Sequence, residues 1–103
     1  MLSTIEKAIT ERIVKTALQS GLLVGAYADD SADIEPSDDL AKILDSAFSS
    51  DCVDLILESK INGNIGFIAL IYFNDGPEII SDYSVSLEPF INNLSFKKLT
   101  IDL

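Results

Sequence analysis

Carboxylates are the side chains through which this chain could do chemistry. Asp75, Glu78 and Asp82, with Asn74 and Tyr83 beside them, crowd the segment from Tyr72 to Ser84. Paired carboxylates can exchange protons with a substrate, but only in a pocket that moves one pKa away from the other. The spacing supplies no such pocket. Asn74-Asp75-Gly76-Pro77 reads first as a tight turn between strands, with Asn74, Asp75, Glu78, Asp82 and Tyr83 as a possible recognition loop.

A second acidic group, Asp29, Asp30, Asp33, Glu35, Asp38 and Asp39, lies further upstream. Its oxygens alternate as in a calcium loop, yet Ile34 and Leu40 stand where an EF-hand needs glycine and a bidentate glutamate. Histidine is absent, which removes the usual neutral-pH base and the commonest transition-metal ligand. Cys52, the only cysteine, is flanked by Asp51 and Asp54; with no base beside it, a buried or half-buried structural thiol is expected. No catalytic residue, metal or cofactor is assigned.

Charge bounds the partners. The 103 residues carry a formal net charge of -10, and the stretch from Asp29 to Glu58 holds ten acids against one base, Lys42. Phosphate contacts need a basic surface, so DNA, RNA and anionic lipid are disfavoured as direct partners. An acidic surface formed by Asp29, Asp30, Asp33, Glu35, Asp38 and Asp39 can instead meet a basic protein surface, or resemble a phosphate backbone, or simply keep the protein soluble. One free thiol and no basic-apolar N-terminal leader point to the cytoplasm. The longest near-continuous apolar run, residues 65–73, is too short to span a bilayer as a helix.

The elements that must position these groups follow from periodicity, within one domain over residues 1–103. Ser3 and Glu6 form a capping-box pattern, Ile5, Ala8, Ile9, Ile13, Ala17 and Leu18 an apolar helical stripe, and Gly21 a stop. Lys7, Glu11, Arg12 and Lys15 occupy the opposite face. A short strand is expected over residues 22–27, then an acidic loop closed by Pro36. Ser37 is the expected N-cap of a second helix whose stripe is Leu40, Ile43, Leu44, Ala47 and Phe48.

Residues 53–59 alternate as a strand, with Val53, Leu55 and Leu57 on one side. Asn62-Gly63 signals a two-residue hairpin turn. The next strand, residues 65–73, is apolar on both faces, with Ile68, Leu70 and Tyr72 on the side left needing cover. A third meander strand over residues 78–83 and a short helix capped by Ser86 follow; residues 95–103 read as an added strand or a tail. Phe48, Phe67, Tyr72, Phe73 and Phe90 read as core, and Tyr27 and Tyr83 as surface anchors. The expected fold class is α+β: an antiparallel sheet of about four strands with two main helices on one face and a short C-terminal helix.

The segment Tyr72-Phe73-Asn74-Asp75-Gly76-Pro77-Glu78-Ile79-Ile80-Ser81-Asp82-Tyr83-Ser84 resembles a group of small uncharacterised phage and prophage proteins with the pattern Tyr/Phe-x-Asn-Asp-Gly-x-Glu-Ile-Ile-x-Asp-Tyr-Ser. Their layout of helix, strand, polar stretch, helix and hairpin is similar across residues 12 to 90. Phe73 and Pro77 depart from residues frequent in that group. The resemblance implies a mobile-element origin and no catalytic residues. The function expected is non-enzymatic binding of a basic host or phage protein. The alternatives are a small metal-assisted enzyme on Asp75, Glu78 and Asp82, or a self-associating structural module. The uncovered side of residues 65–73 makes a homodimer the expected oligomer.

Overall fold

The computed structural model describes residues 4–28, 34–72 and 79–94. The first apolar stripe folds as α1 (Thr4–Gln19), burying Ile9, Ile13, Val14 and Ala17, and ends at Gly21, whose φ of +84° reverses the chain. Ser3 lies outside the described residues. Its expected capping partner Glu6 is fully buried, not at the surface.

β1 (Leu22–Ala28) follows, and then a difference from the expectation: residues 34–37 of the acidic stretch are not loop but an edge strand, β2 (Ile34–Ser37). β2 pairs antiparallel with β1 through Ala26↔Ile34 and Val24↔Ser37, and two residues bulge opposite Gly25. A Cβ on Gly25 would meet the Ile34 carbonyl oxygen at 3.0 Å and the Pro36 nitrogen at 3.1 Å, so glycine admits the close crossing. Pro36 is tolerated because the bulge on an edge strand asks no ladder donor of it.

α2 (Leu40–Ala47) is capped by Asp39, not Ser37: the Asp39 carboxylate accepts from the Lys42 N–H at 3.2 Å. Ser37 instead accepts from the Asp39 N–H at 3.0 Å. The cap is thus a relay two residues long. Ile43 and Ala47 are buried, and Leu40 and Leu44 pack half-buried against the core, as their spacing predicts.

β3 (Cys52–Ser59), β4 (Gly63–Ile71) and β5 (Ile80–Tyr83) complete an antiparallel sheet ordered β2-β1-β3-β4-β5. The turn between β3 and β4 is wider than a two-residue hairpin. Ser59 pairs with Gly63, so Lys60, Ile61 and Asn62 make the loop and Gly63 alone closes it at φ +76°. The Ser59 hydroxyl accepts from the N–H groups of Ile61 and Asn62, both at 3.2 Å.

After β5 the chain makes a 3₁₀ turn (Val85–Leu87) and α3 (Glu88–Asn92). Ser86 does not cap α3; its hydroxyl donates to the Ile65 carbonyl at 2.8 Å. Ser84 extends the β5 ladder instead, donating its N–H to the Phe67 carbonyl while its hydroxyl accepts from the Phe67 N–H, each at 3.0 Å. Leu87 and Leu94 are buried in the core. The fold is α+β, with five strands in place of about four.

One core joins the helices to one sheet face. Val24, Ala26, Val53, Leu55, Leu57, Ile68, Leu70 and Tyr72 are buried with Ile9, Ile13, Val14, Ala17, Ile43 and Ala47. Each such Leu or Ile contributes on the order of 1.5–3 kcal/mol of transfer free energy. Ile68, Leu70 and Tyr72, read from the sequence as the side wanting cover, are therefore the side the helices cover. Tyr72 is fixed there by polar contacts: its hydroxyl donates to the Ala47 carbonyl at 2.9 Å and lies 3.2 Å from the Thr10 hydroxyl.

Candidate functional site

The other sheet face is built by the residues that alternate with the core. Strand register sets them in rows: Tyr27, Asp54, Ala69 and Asp82 across β1, β3, β4 and β5; Gly25, Ile56 and Phe67 across β1, β3 and β4; Cys52 beside Ile71; and Leu23 beside Glu58. Leu23, Tyr27, Ile56, Phe67 and Ala69 are half-buried, Ile71 is 42% exposed, and none of these belongs to the set packed on the core. Ile56, Phe67, Ala69 and Ile71 form a continuous apolar strip on two adjacent strands.

Carboxylates border the strip. Asp54 and Asp82 flank Ala69 in one row, with Cα atoms about 10 Å apart by strand spacing. Asp54 and Asp82 are exposed and Glu58 is half-buried. The Asp82 carboxylate accepts from the Tyr83 N–H at 2.8 Å. The five strands contain no lysine or arginine at all. Among the described residues the cations are Lys7, Arg12 and Lys15 on α1, Lys42 on α2 and Lys60 in the β3–β4 loop. Two of the α1 cations are engaged: Lys15 pairs with Glu11 at 2.7 Å, and the Lys7 ammonium lies 5.9 Å from the Phe48 ring centre. Among the described residues, a shallow depression of about 260 Å³ beside them is lined by Ala8, Glu11, Arg12 and Lys15 of that one helix.

The residues singled out from the sequence divide as follows. Asp29, Asp30, Asp33, Asn74, Asp75 and Glu78 lie outside the described residues, as do Phe73 and residues 95–103. Glu35 is exposed on β2, Asp38 is exposed, and Asp39 is exposed but committed to capping α2. Asp82 and Tyr83 sit on β5, where Tyr83 is half-buried and packs against the core instead of projecting as an anchor. Among the described residues no three His, Cys, Asp or Glu side chains gather as metal ligands. Cys52 is exposed at the start of β3, contrary to the buried or half-buried thiol expected, because the first residue of that strand falls on the outer face.

Sequence reasoning placed Phe67 in the core and did not find the strip. The signal was in β3: Val53, Leu55 and Leu57 alternate with Asp54, Ile56 and Glu58, and the face that carries acids is the one turned to water. Ile56 then marks Phe67 as its cross-strand neighbour. Tyr72, by contrast, is a buried structural hydroxyl. Burial, partly offset by the Thr10 hydrogen bond and reinforced by the nearby Glu6, pushes its pKa up to about 12.

No helix among the described residues is long and apolar enough to cross a membrane. Comparison of the chain with protein-family models, with curated proteins and with solved structures finds no match.

Proposed function

We propose that this is a non-enzymatic protein of phage or prophage type that acts by binding a basic host or phage protein in the cytoplasm. The observation that carries the reading is the outer sheet face, an apolar strip bordered by Asp54, Glu58 and Asp82 on a sheet without a single cation. Apolar area favours association, and one-signed charge selects the partner and speeds encounter. Glu35 and Asp38, exposed on and after β2, extend the same negative sign to the sheet's far edge. The mobile-element origin rests on the resemblance of the segment from Tyr72 to Ser84.

The test is affinity capture from host lysate with mass spectrometry, run with the wild type and with Glu35→Gln, Asp38→Asn, Asp54→Asn and Asp82→Asn combined. Amides keep the hydrogen-bonding oxygens, so the fold should persist. The expected result is a basic protein captured by the wild type, released as salt rises, and lost from the variant. Capture that is equal for both proteins and indifferent to salt removes the electrostatic reading. The metal-assisted alternative has its own readout: melting in magnesium, manganese or calcium should shift upward with concentration if a site exists.

A further inference from the structure

We propose that the outer sheet face is a docking platform for a cationic amphipathic helix of a partner protein, its apolar stripe on Ile56 and Phe67 and its basic flanks at Asp54, Glu58 and Asp82. This rests on the reading of a basic partner and adds where and in what form that partner binds. Sheet faces are covered by helices elsewhere in this fold: α1 and α2 pack on β1, and their Ile9, Ile13 and Ile43 share one buried cluster with Leu55, Ile68 and Leu70 of the inner side. The outer strip offers the same alternation one residue out of phase, without a described element above it.

Strand addition at the sheet edges is disfavoured on both sides. β2 carries Pro36 and a bulge. β5 is four residues long, bulged against β4, and its Tyr83 N–H is already taken by the Asp82 carboxylate. Short, bulged and acidic edges resist pairing with another chain. Among the described residues the face, not an edge, is the uncovered surface.

Charge decides between a foreign helix and a second copy. An isologous dimer through this face would set two sets of Asp54, Glu58 and Asp82 into one interface, with no strand cation on either side to pair them. Desolvating unpaired like charges is costly and opposes that contact. A helix with lysine or arginine beside its apolar stripe removes the conflict. Ala69 leaves a dip between Phe67 and Ile71 on β4, with Asp54 on one side and Asp82 on the other. A lysine stem laid over Ala69 brings its ammonium within reach of either carboxylate.

The test is an NMR titration of the ¹⁵N-labelled full chain with two synthetic peptides of about 14 residues, long enough for about four helical turns. Both have one lysine-leucine composition; one is patterned as an amphipathic helix and the other is scrambled. The amphipathic peptide is expected to shift the amides of Ile56, Phe67, Ala69 and Ile71 and to bind at least about tenfold more tightly than the scrambled one. Phe67→Ser should abolish that advantage, and Ile71→Ser, at a more exposed position, should reduce it with the melting curve intact. A bulky maleimide on Cys52, beside Ile71, should weaken binding as well. Equal binding of both peptides, with shifts confined to the region of Glu35 and Asp38, overturns the platform and leaves the basic-partner reading standing. No binding of either peptide overturns both. A light-scattering mass twice 11.2 kDa that Phe67→Ser returns to monomer would make a second copy the occupant and overturn the proposal.

Discussion

The Tyr72 hydroxyl donates to the Ala47 carbonyl at 2.9 Å, tying the residue that follows β4 to the last turn of α2. Thr10 completes the junction from α1: its hydroxyl lies 3.2 Å from the Tyr72 oxygen and 3.0 Å from the Glu6 carbonyl. The Tyr72 proton goes to the Ala47 carbonyl, and the single Thr10 proton is shared between the Glu6 carbonyl and the Tyr72 oxygen as acceptors. Three elements thus meet at one buried phenol.

Tyr72→Phe should cost about 1–2 kcal/mol, since it leaves the Ala47 carbonyl and Thr10 hydroxyl without that partner in the core. Its pH signature is more specific. The pKa of Tyr72 is raised from 10 to about 12, so the folded state keeps a proton that the unfolded state gives up between those values. The associated stability is fully present below pH 10 and is lost as pH rises toward 12, on the order of 2–3 kcal/mol across the window. Melting from pH 9 to 11.5 should therefore fall more steeply for the wild type than for the Phe variant. Parallel curves would contradict the buried, protonated phenol.

Asp38 and Asp39 are adjacent acids with different work. Asp39→Ala should destabilise by about 1 kcal/mol through loss of the α2 cap, whereas Asp38→Ala should stay within about 0.5 kcal/mol. Urea denaturation of both variants measures the gap. Equal effects would show that the cap contributes nothing.

Gly63 tests the β3–β4 turn. A Cβ there meets nothing within 4 Å, so any cost of substitution is backbone strain at φ +76° and not a clash. Gly63→Val should cost more than about 1 kcal/mol, and Gly63→Asn clearly less, because asparagine tolerates the left-handed region. Equal melting temperatures for the wild type and Gly63→Val would refute the turn geometry.

Leu55 and Ile56 are neighbours on β3 with opposite faces. Leu55→Ala should cost about 2–5 kcal/mol, the range for a large-to-small change in a closed core. Ile56→Ala removes similar volume from the outer face and should cost much less. Chemical denaturation of the pair reads out which face is covered, and a larger loss at Ile56 would reverse the assignment.

Cys52 supplies a check without mutation. As an exposed thiol it should react fully with an aromatic disulfide reagent in native buffer. Reaction only after denaturant is added would place it back in the interior.

Much of this architecture is legible in the chain itself. Apolar residues three and four apart determine α1 and α2, period-two alternation determines β3, and Gly63 marks the reversal between β3 and β4. These are local signals, and each depends on side chains within a turn or two of one another. Which face of β4 is covered is not local. Ile68, Leu70 and Tyr72 on one side and Phe67, Ala69 and Ile71 on the other are equally apolar, and alternation cannot choose between them. The choice is made where Thr10 and the Ala47 carbonyl converge on Tyr72, through contacts 62 and 25 residues apart in the chain. β2 is likewise a tertiary product: Ile-Glu-Pro-Ser has little strand propensity, but β1 would otherwise be an unpaired edge, and Gly25 lets the chain cross closely enough to pair. The excess of carboxylates is a property of composition. That they border an apolar strip free of cations is a property of the sheet register.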